Sequence, residues 1–167
     1  MTTANFVQLL PLLCRFEVRF ILIGGGAAIV HGLARTTYDV DVVYDRAADN
    51  LEKLAAAAEE LSVYPRGAPA GLPFYFDLRT LRAGLNFTLT TTLGDLDLLA
   101  EVPGNGTWQT LQEHSEIIQI YGCDIPVVSL RKLIELKVAA GRPKDFEVVA
   151  QLRALLAEQT GEAESPV

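Results

Sequence analysis

The stretch that most limits what this chain can fold into is residues 19–45, RFILIGGGAAIVHGLARTTYDVDVVYD. Residues 20–23 form a short apolar run suited to a buried strand. Gly24, Gly25 and Gly26 follow at once, residues 27–33 read as a short helix, and residues 38–44 as a second strand carrying Asp39 and Asp41. Side chains alternate along a strand, so both carboxylates point to one face with Cα atoms roughly 7 Å apart. Two carboxylates so placed can hold a pair of hard cations about 3.5–4 Å apart, the arrangement used for in-line displacement at phosphorus. Glycines where a strand meets a helix let the backbone approach a phosphate closely, with free N–H groups aimed at it.

The same glycines also suit a dinucleotide fold, because Gly24-x-Gly26 follows a strand and opens a helix, and Asp45 stands near the distance of a ribose-binding acid. Ile29 occupies the place of the third glycine, the crossover helix is very short, and the remaining chain does not repeat βαβ units, so this alternative is set aside. Asp45 is expected to help begin the next helix and His31 to be structural. Arg35, close to the glycines, is a candidate phosphate contact.

The chain has 167 residues, half of them apolar, which is ample for one core. A net charge of −7 argues against broad non-specific nucleic-acid binding. Cys14 and Cys123 are too few for a disulfide framework, which points to a reducing cytoplasm. Residues 20–30 are too short to span a bilayer, and no Lys or Arg precedes Cys14 while Leu13 stands where a lipoprotein signal wants a small residue, so no membrane partner is expected.

Residues 5–16 have helical spacing, with Asn5 as cap and Pro11 an awkward interior residue. Residues 49–61 form an alanine-rich helix with an apolar stripe. Residues 64–73 carry three prolines and two glycines and are irregular; residues 74–76 are a strand or an aromatic plug. Residues 86–92 read as a strand, and Gly94 turns into a further strand carrying Asp95 and Asp97 on one face. A loop follows at 101–107, then one helical turn near Trp108, then a hairpin turned at Gly122-Cys123. Ser129 caps a helix over 130–140 with the stripe Leu130, Leu133, Ile134 and Val138; Lys137 interrupts it and either snorkels outward or meets an anion. Gly141 ends that helix and Pro143 opens the next, whose buried face is expected to be Phe146, Val149, Leu152 and Leu156. Residues 1–158 are read as a single domain and 159–167 as a disordered tail.

Gly25-Gly26 followed by Asp39-Val40-Asp41 resembles the nucleotidyltransferase superfamily, the polymerase-β-like fold. Within it, GGGAAIVHGLARTTYDVDVV and LIELKVAAGRPKD look most like the small bacterial branch of AbiEii-like transferases. The resemblance implies an α+β fold: a small mixed β-sheet with packed helices and two C-terminal helices. It implies transfer of a nucleoside monophosphate from an NTP, with release of pyrophosphate, to an acceptor such as tRNA, protein or a small molecule. Two Mg2+ or Mn2+ ions would sit on Asp39, Asp41 and a third carboxylate, Asp97, which also takes the acceptor's proton; Asp95 is its competitor. Gly25 and Gly26 would cradle phosphates, Lys137 would neutralise triphosphate charge, and Arg142, Lys144 and Asp145 would line or brace the site. The chain departs from the branch at Val148, where another acid is common, with Glu147 beside it. Many members of the branch are toxins paired with an antitoxin, which makes a cognate antitoxin a candidate partner. The alternative is a catalytically inactive nucleotide- or partner-binding protein of the same fold.

Overall fold

The computed structural model describes residues 3–161. Helix α1 is Phe6–Arg15, and the Asn5 side chain accepts from the Gln8 amide at 3.1 Å, satisfying one of the orphan donors of its first turn. The helix continues through Pro11. Strand β1 (Phe20–Ile23) is buried at every position and runs straight into α2 (Gly24–Val30). Then come β2 (Asp39–Tyr44), α3 (Ala48–Leu61), β3 (Tyr64–Pro65) and α4 (Leu78–Ala83). Strands β4 (Phe87–Thr91) and β5 (Gly94–Leu99) make a hairpin, and the short strands β6 (Glu101–Val102) and β7 (Gly106–Thr107) a separate ribbon. Helix α5 (Trp108–Leu111) leads to the hairpin β8 (Ser115–Ile120) and β9 (Cys123–Val128), then α6 (Leu130–Ala140) and α7 (Phe146–Thr160).

The main sheet has seven strands in the order β3-β4-β5-β2-β1-β9-β8. It is mixed: β1 runs antiparallel to β2 and parallel to β9, while β2 runs parallel to β5. The three central strands β1, β2 and β5 place Leu22, Val40 and Leu98 at zero exposure, each such side chain contributing about 1.5–3 kcal/mol by leaving water. Helix α2 packs on β1, β2 and α6, and α7 packs on α6, so the end of the sheet that bears the acids is roofed by the C-terminal helices. The β8–β9 turn is two residues, Tyr121 and Gly122, both at positive φ (52° and 78°), the geometry that matches strand twist in a tight hairpin.

Several boundaries and faces differ from the sequence reading. Helix α2 begins at Gly24, three residues earlier than expected, because the first glycine itself makes the turn out of β1 at φ +67°. The aromatic run at 74–76 is not a strand: Phe74 lies edge-on to Tyr64 at 6.0 Å and Phe76 edge-on to Phe87 at 5.1 Å, forming the plug. Phe146 is 67% exposed and Val148 buried, because the 3-10 turn Pro143–Asp145 rotates the start of α7 and turns the next apolar residues inward. Val138 is likewise exposed, and Leu136 takes its place in the core. Helix α7 runs to Thr160, with Gln159 donating to the His31 carbonyl at 2.8 Å; residues 162–167 of the expected tail lie outside the described residues.

Candidate active site

Register assembles the acids. Ile23 pairs with Asp41 across β1 and β2, and the parallel β2–β5 pairing sets Asp39 beside Asp95 and Asp41 beside Asp97. Alternation then puts all four carboxylates on one face. Oxygens of Asp39, Asp41 and Asp97 all lie within 4.8 Å of one another. Gly24 packs directly beneath this cluster: a Cβ there would clash with Asp41 Oδ2. Its missing side chain is thus required by the carboxylate, and its φ by the turn.

A cavity of about 380 Å³ opens over the cluster. Asp39, Asp41 and Asp97 form one side with Gly24; Leu99, Val102, Pro103, Leu133 and Leu136 form an apolar wall; Lys137 and Arg142 bring positive charge. Burial, followed by the nearby Asp39 carboxylate and a hydrogen bond shared with Asp97, pushes Asp41 up to about 8. Burial also raises Asp97, but its bond to Asp41 and the guanidinium of Arg66 oppose the rise. Burial lowers Lys137, and Asp145 works against that shift. Lys137 Nζ stands 3.6 Å from Asp145 Oδ1, and Arg142 Nε donates to Asp145 Oδ2 at 2.6 Å. Asp145, only 5% exposed, therefore holds both cations and faces them rather than the cavity.

Of the residues singled out from sequence, Asp39, Asp41, Asp97, Lys137 and Arg142 line the one cavity, with Asp145 behind two of them. Gly25 and Gly26 do not line it. A Cβ on Gly25 would meet Thr37 Oγ1 at 2.6 Å and one on Gly26 would meet Phe6 Cε1 at 2.8 Å, so both glycines serve close packing of α2. Arg35 is exposed at the rim of a neighbouring apolar cavity of about 260 Å³ that Gly26 shares, and Lys144 is exposed on the turn before α7. His31 donates to the Val128 carbonyl at 2.7 Å, a structural bond.

Two features were missed. The ribbon residues Val102 and Pro103 supply part of the apolar wall, where sequence showed only a loop. Arg66, directly after β3, places Nη2 2.6 Å from Asp97 Oδ1 and Nε 3.2 Å from Asp95 Oδ2. The available signal was that Arg66 is the sole charged residue between Glu60 and Asp77.

Three half-buried carboxylates this close repel one another, and the set offers only hard oxygen donors, which is the chemistry of Mg2+ or Mn2+ rather than of thiophilic metals. Asp39, Asp41 and Asp97 fit such a cation. Among the described residues no helix is long and apolar enough to cross a membrane.

The architecture is the α+β nucleotidyltransferase fold, a mixed sheet with packed helices. A Thermotoga maritima protein provisionally assigned as a nucleotidyltransferase, TM1012, matches over 90% of this chain and 91% of its own, with a TM-score of 0.54 and 17% identity. The antibiotic-resistance factor ANT(2'')-Ia matches over 93% of both chains, with a TM-score of 0.51 and 16% identity. No protein-family model matches the chain, and no curated protein sequence does.

Proposed function

We propose that this protein is a metal-dependent nucleotidyltransferase that moves a nucleoside monophosphate from an NTP to an acceptor and releases pyrophosphate. The observation that carries this reading is the convergence of Asp39, Asp41 and Asp97 from two adjacent parallel strands on one cavity that also receives Lys137. Asp39, Asp41 and Asp97 would hold Mg2+ or Mn2+, two ions in the reading from sequence, supplying charge neutralisation at the phosphates and orientation of attacking and leaving oxygens.

The chain's own residues then do three things. Lys137 and Arg142 lie where a triphosphate would add negative charge opposite the acids, and Asp145 fixes both in place. The apolar wall offers Leu99, Val102 and Leu136 to a flat base, excluding water from one side of the nucleotide. Asp97 accepts the acceptor's proton as the acceptor oxygen bonds to the α-phosphorus and the bond from that phosphorus to the bridging oxygen of pyrophosphate breaks.

The candidate acceptors are tRNA, protein and a small molecule; similarity to an antibiotic-resistance factor supports the small-molecule arm. The two sequence segments that resemble AbiEii-like transferases support a toxin role with an antitoxin partner. The test is incubation with Mg2+ or Mn2+, a panel of labelled NTPs, and total RNA, cell protein or small hydroxylated amines as acceptors. Label should move to one acceptor class, and the Asp39→Asn/Asp41→Asn variant should move none. Metal-dependent NTP binding without transfer to any arm would favour an inactive nucleotide-binding protein instead.

A further inference from the structure

We propose that Arg66 is a positioning residue of the acidic site: it ties down one oxygen of Asp97 and thereby presents the other to a divalent cation shared with Asp39 and Asp41. This rests on reading the acidic cluster as a cation site, and extends that reading to a residue outside the cavity lining.

The backbone places Arg66 in line with the acids. Its amide donates to the Thr88 carbonyl at 3.0 Å, Thr88 pairs with Asp97, and Asp97 pairs with Asp41, so one row runs from just past the end of β3 across β4 and β5 to β2 at the centre of the sheet. Strands lie about 4.8 Å apart, and the Arg66 side chain must pass over β4 to reach β5. Its head group is fixed on the way, because Nη2 donates both to the Leu89 carbonyl at 3.0 Å and to Asp97 Oδ1 at 2.6 Å. Nε is buried 3.2 Å from Asp95 Oδ2 but has no hydrogen aligned on any acceptor. The guanidinium is thus anchored to the backbone of β4 as well as to the acids of β5, and Asp97 cannot rotate without breaking that anchor. With Oδ1 engaged, Oδ2 is the oxygen left for the cluster.

A second role for the same contact is simple charge compensation, and the two differ in sign. If Arg66 only offsets negative charge, removing it leaves the carboxylates freer to attract a cation, and affinity rises. If Arg66 orients Asp97, removing it weakens the site, and residues that hold a metal ligand in place by hydrogen bonds are worth about 10–100-fold in affinity. Lysine, with a single point charge, cannot hold the Leu89 carbonyl and Asp97 together in the same fixed geometry.

The experiment is Mn2+ titration of the full chain, read by the loss of the free Mn2+ electron paramagnetic resonance signal, with circular dichroism and thermal melts to verify folding. Wild type should bind saturably, and Asp39→Asn/Asp41→Asn should not. Arg66→Met, which keeps the apolar stem over β4, should bind about 10–100-fold more weakly. Arg66→Lys should restore only part of that loss. Arg66→Met/Asp97→Asn should bind no more weakly than Asp97→Asn, because the arginine acts through that carboxylate. Equal or tighter binding by Arg66→Met, with the Asp39/Asp41 dependence intact, overturns the positioning role alone. If Arg66→Met does not fold, wild-type affinity in Arg66→Lys overturns it. Absence of saturable binding in wild type overturns the cation site and the positioning role together.

Discussion

Asp145 holds Lys137 and Arg142 at once, one cation on each carboxylate oxygen, at 3.6 and 2.6 Å. The acid comes from the 3-10 turn before α7 and the lysine from α6, so this contact locks the two C-terminal helices as well as aiming the lysine at the cavity. Lys137→Met should therefore leave thermal stability within about 1 kcal/mol of wild type, because Arg142 still pairs the acid, while NTP affinity falls. Asp145→Ala strands Lys137, 10% exposed, without its partner and should destabilise by about 3 kcal/mol, the lower end of the range for a broken buried pair. Denaturant melts of both variants check this; marked unfolding of Lys137→Met with unchanged NTP affinity would show that the lysine is purely structural.

Asp95 and Asp97 share a strand face, yet only Asp97 lines the cavity. Asp97→Asn keeps the shape and removes both charge and proton acceptor, so transfer should be abolished with the fold intact. Asp95→Asn should lose less than about tenfold, or 1.4 kcal/mol of barrier. Single-turnover rates with the acceptor that the labelling assay identifies decide it, and a dead Asp95→Asn beside an active Asp97→Asn would reverse the assignment.

Gly24→Ala introduces a Cβ that clashes with Asp41 Oδ2, at φ +67°. The left-handed conformation alone costs roughly 1–2 kcal/mol for a residue other than glycine. Asp41 must also move, so Mn2+ affinity should fall together with the melting temperature. Gly25→Ala meets Thr37 instead and should lower stability while leaving Mn2+ affinity nearly unchanged. Unaltered Mn2+ binding by folded Gly24→Ala would contradict the placement of Asp41.

Asp41 titrates near 8 in the folded chain, against about 3.9 for an unperturbed aspartate. Between these values the folded state binds a proton that the unfolded state has released, so stability falls as pH rises. The favourable contribution is complete below about pH 4 and gone above about pH 8. Chelator-treated protein should lose stability across pH 5–8, by at most about 1.4 kcal/mol per unit from this group, and Asp41→Asn should flatten the slope. Added Mn2+ should release a proton from the site in the same range. An identical slope in Asp41→Asn would show that another group is responsible.

Much of the architecture is legible in local pattern. The four-residue apolar run of β1, the alternation of β2 and β5, the caps at Asn5 and Ser129 and the left-handed stop at Gly141 each follow from chemistry within a few residues. So does the shared direction of Asp39 and Asp41, because it depends only on the period of a strand.

What local pattern cannot carry is pairing between distant segments. Asp97 joins Asp41 only through the parallel register of β2 and β5, and nothing within either strand encodes that register. Phe146 looked buried because its own helix has an apolar stripe there, but the phase of that stripe is set by the turn at Pro143–Asp145. Gly25 and Gly26 had the pattern of a phosphate cradle, and their closest neighbours turn out to be Thr37 and Phe6, which come from elsewhere in the chain. Arg66 shows the limit most clearly: a lone cation in a proline- and glycine-rich segment reaches Asp97 because β3 and β4 pair at the sheet edge, 31 residues away in sequence. The sequence by itself determined which residues carry charge and which way each strand presents them. The tertiary structure decided which of those charges meet, because that depends on strand order and register, and these are set by how the whole sheet buries its apolar faces.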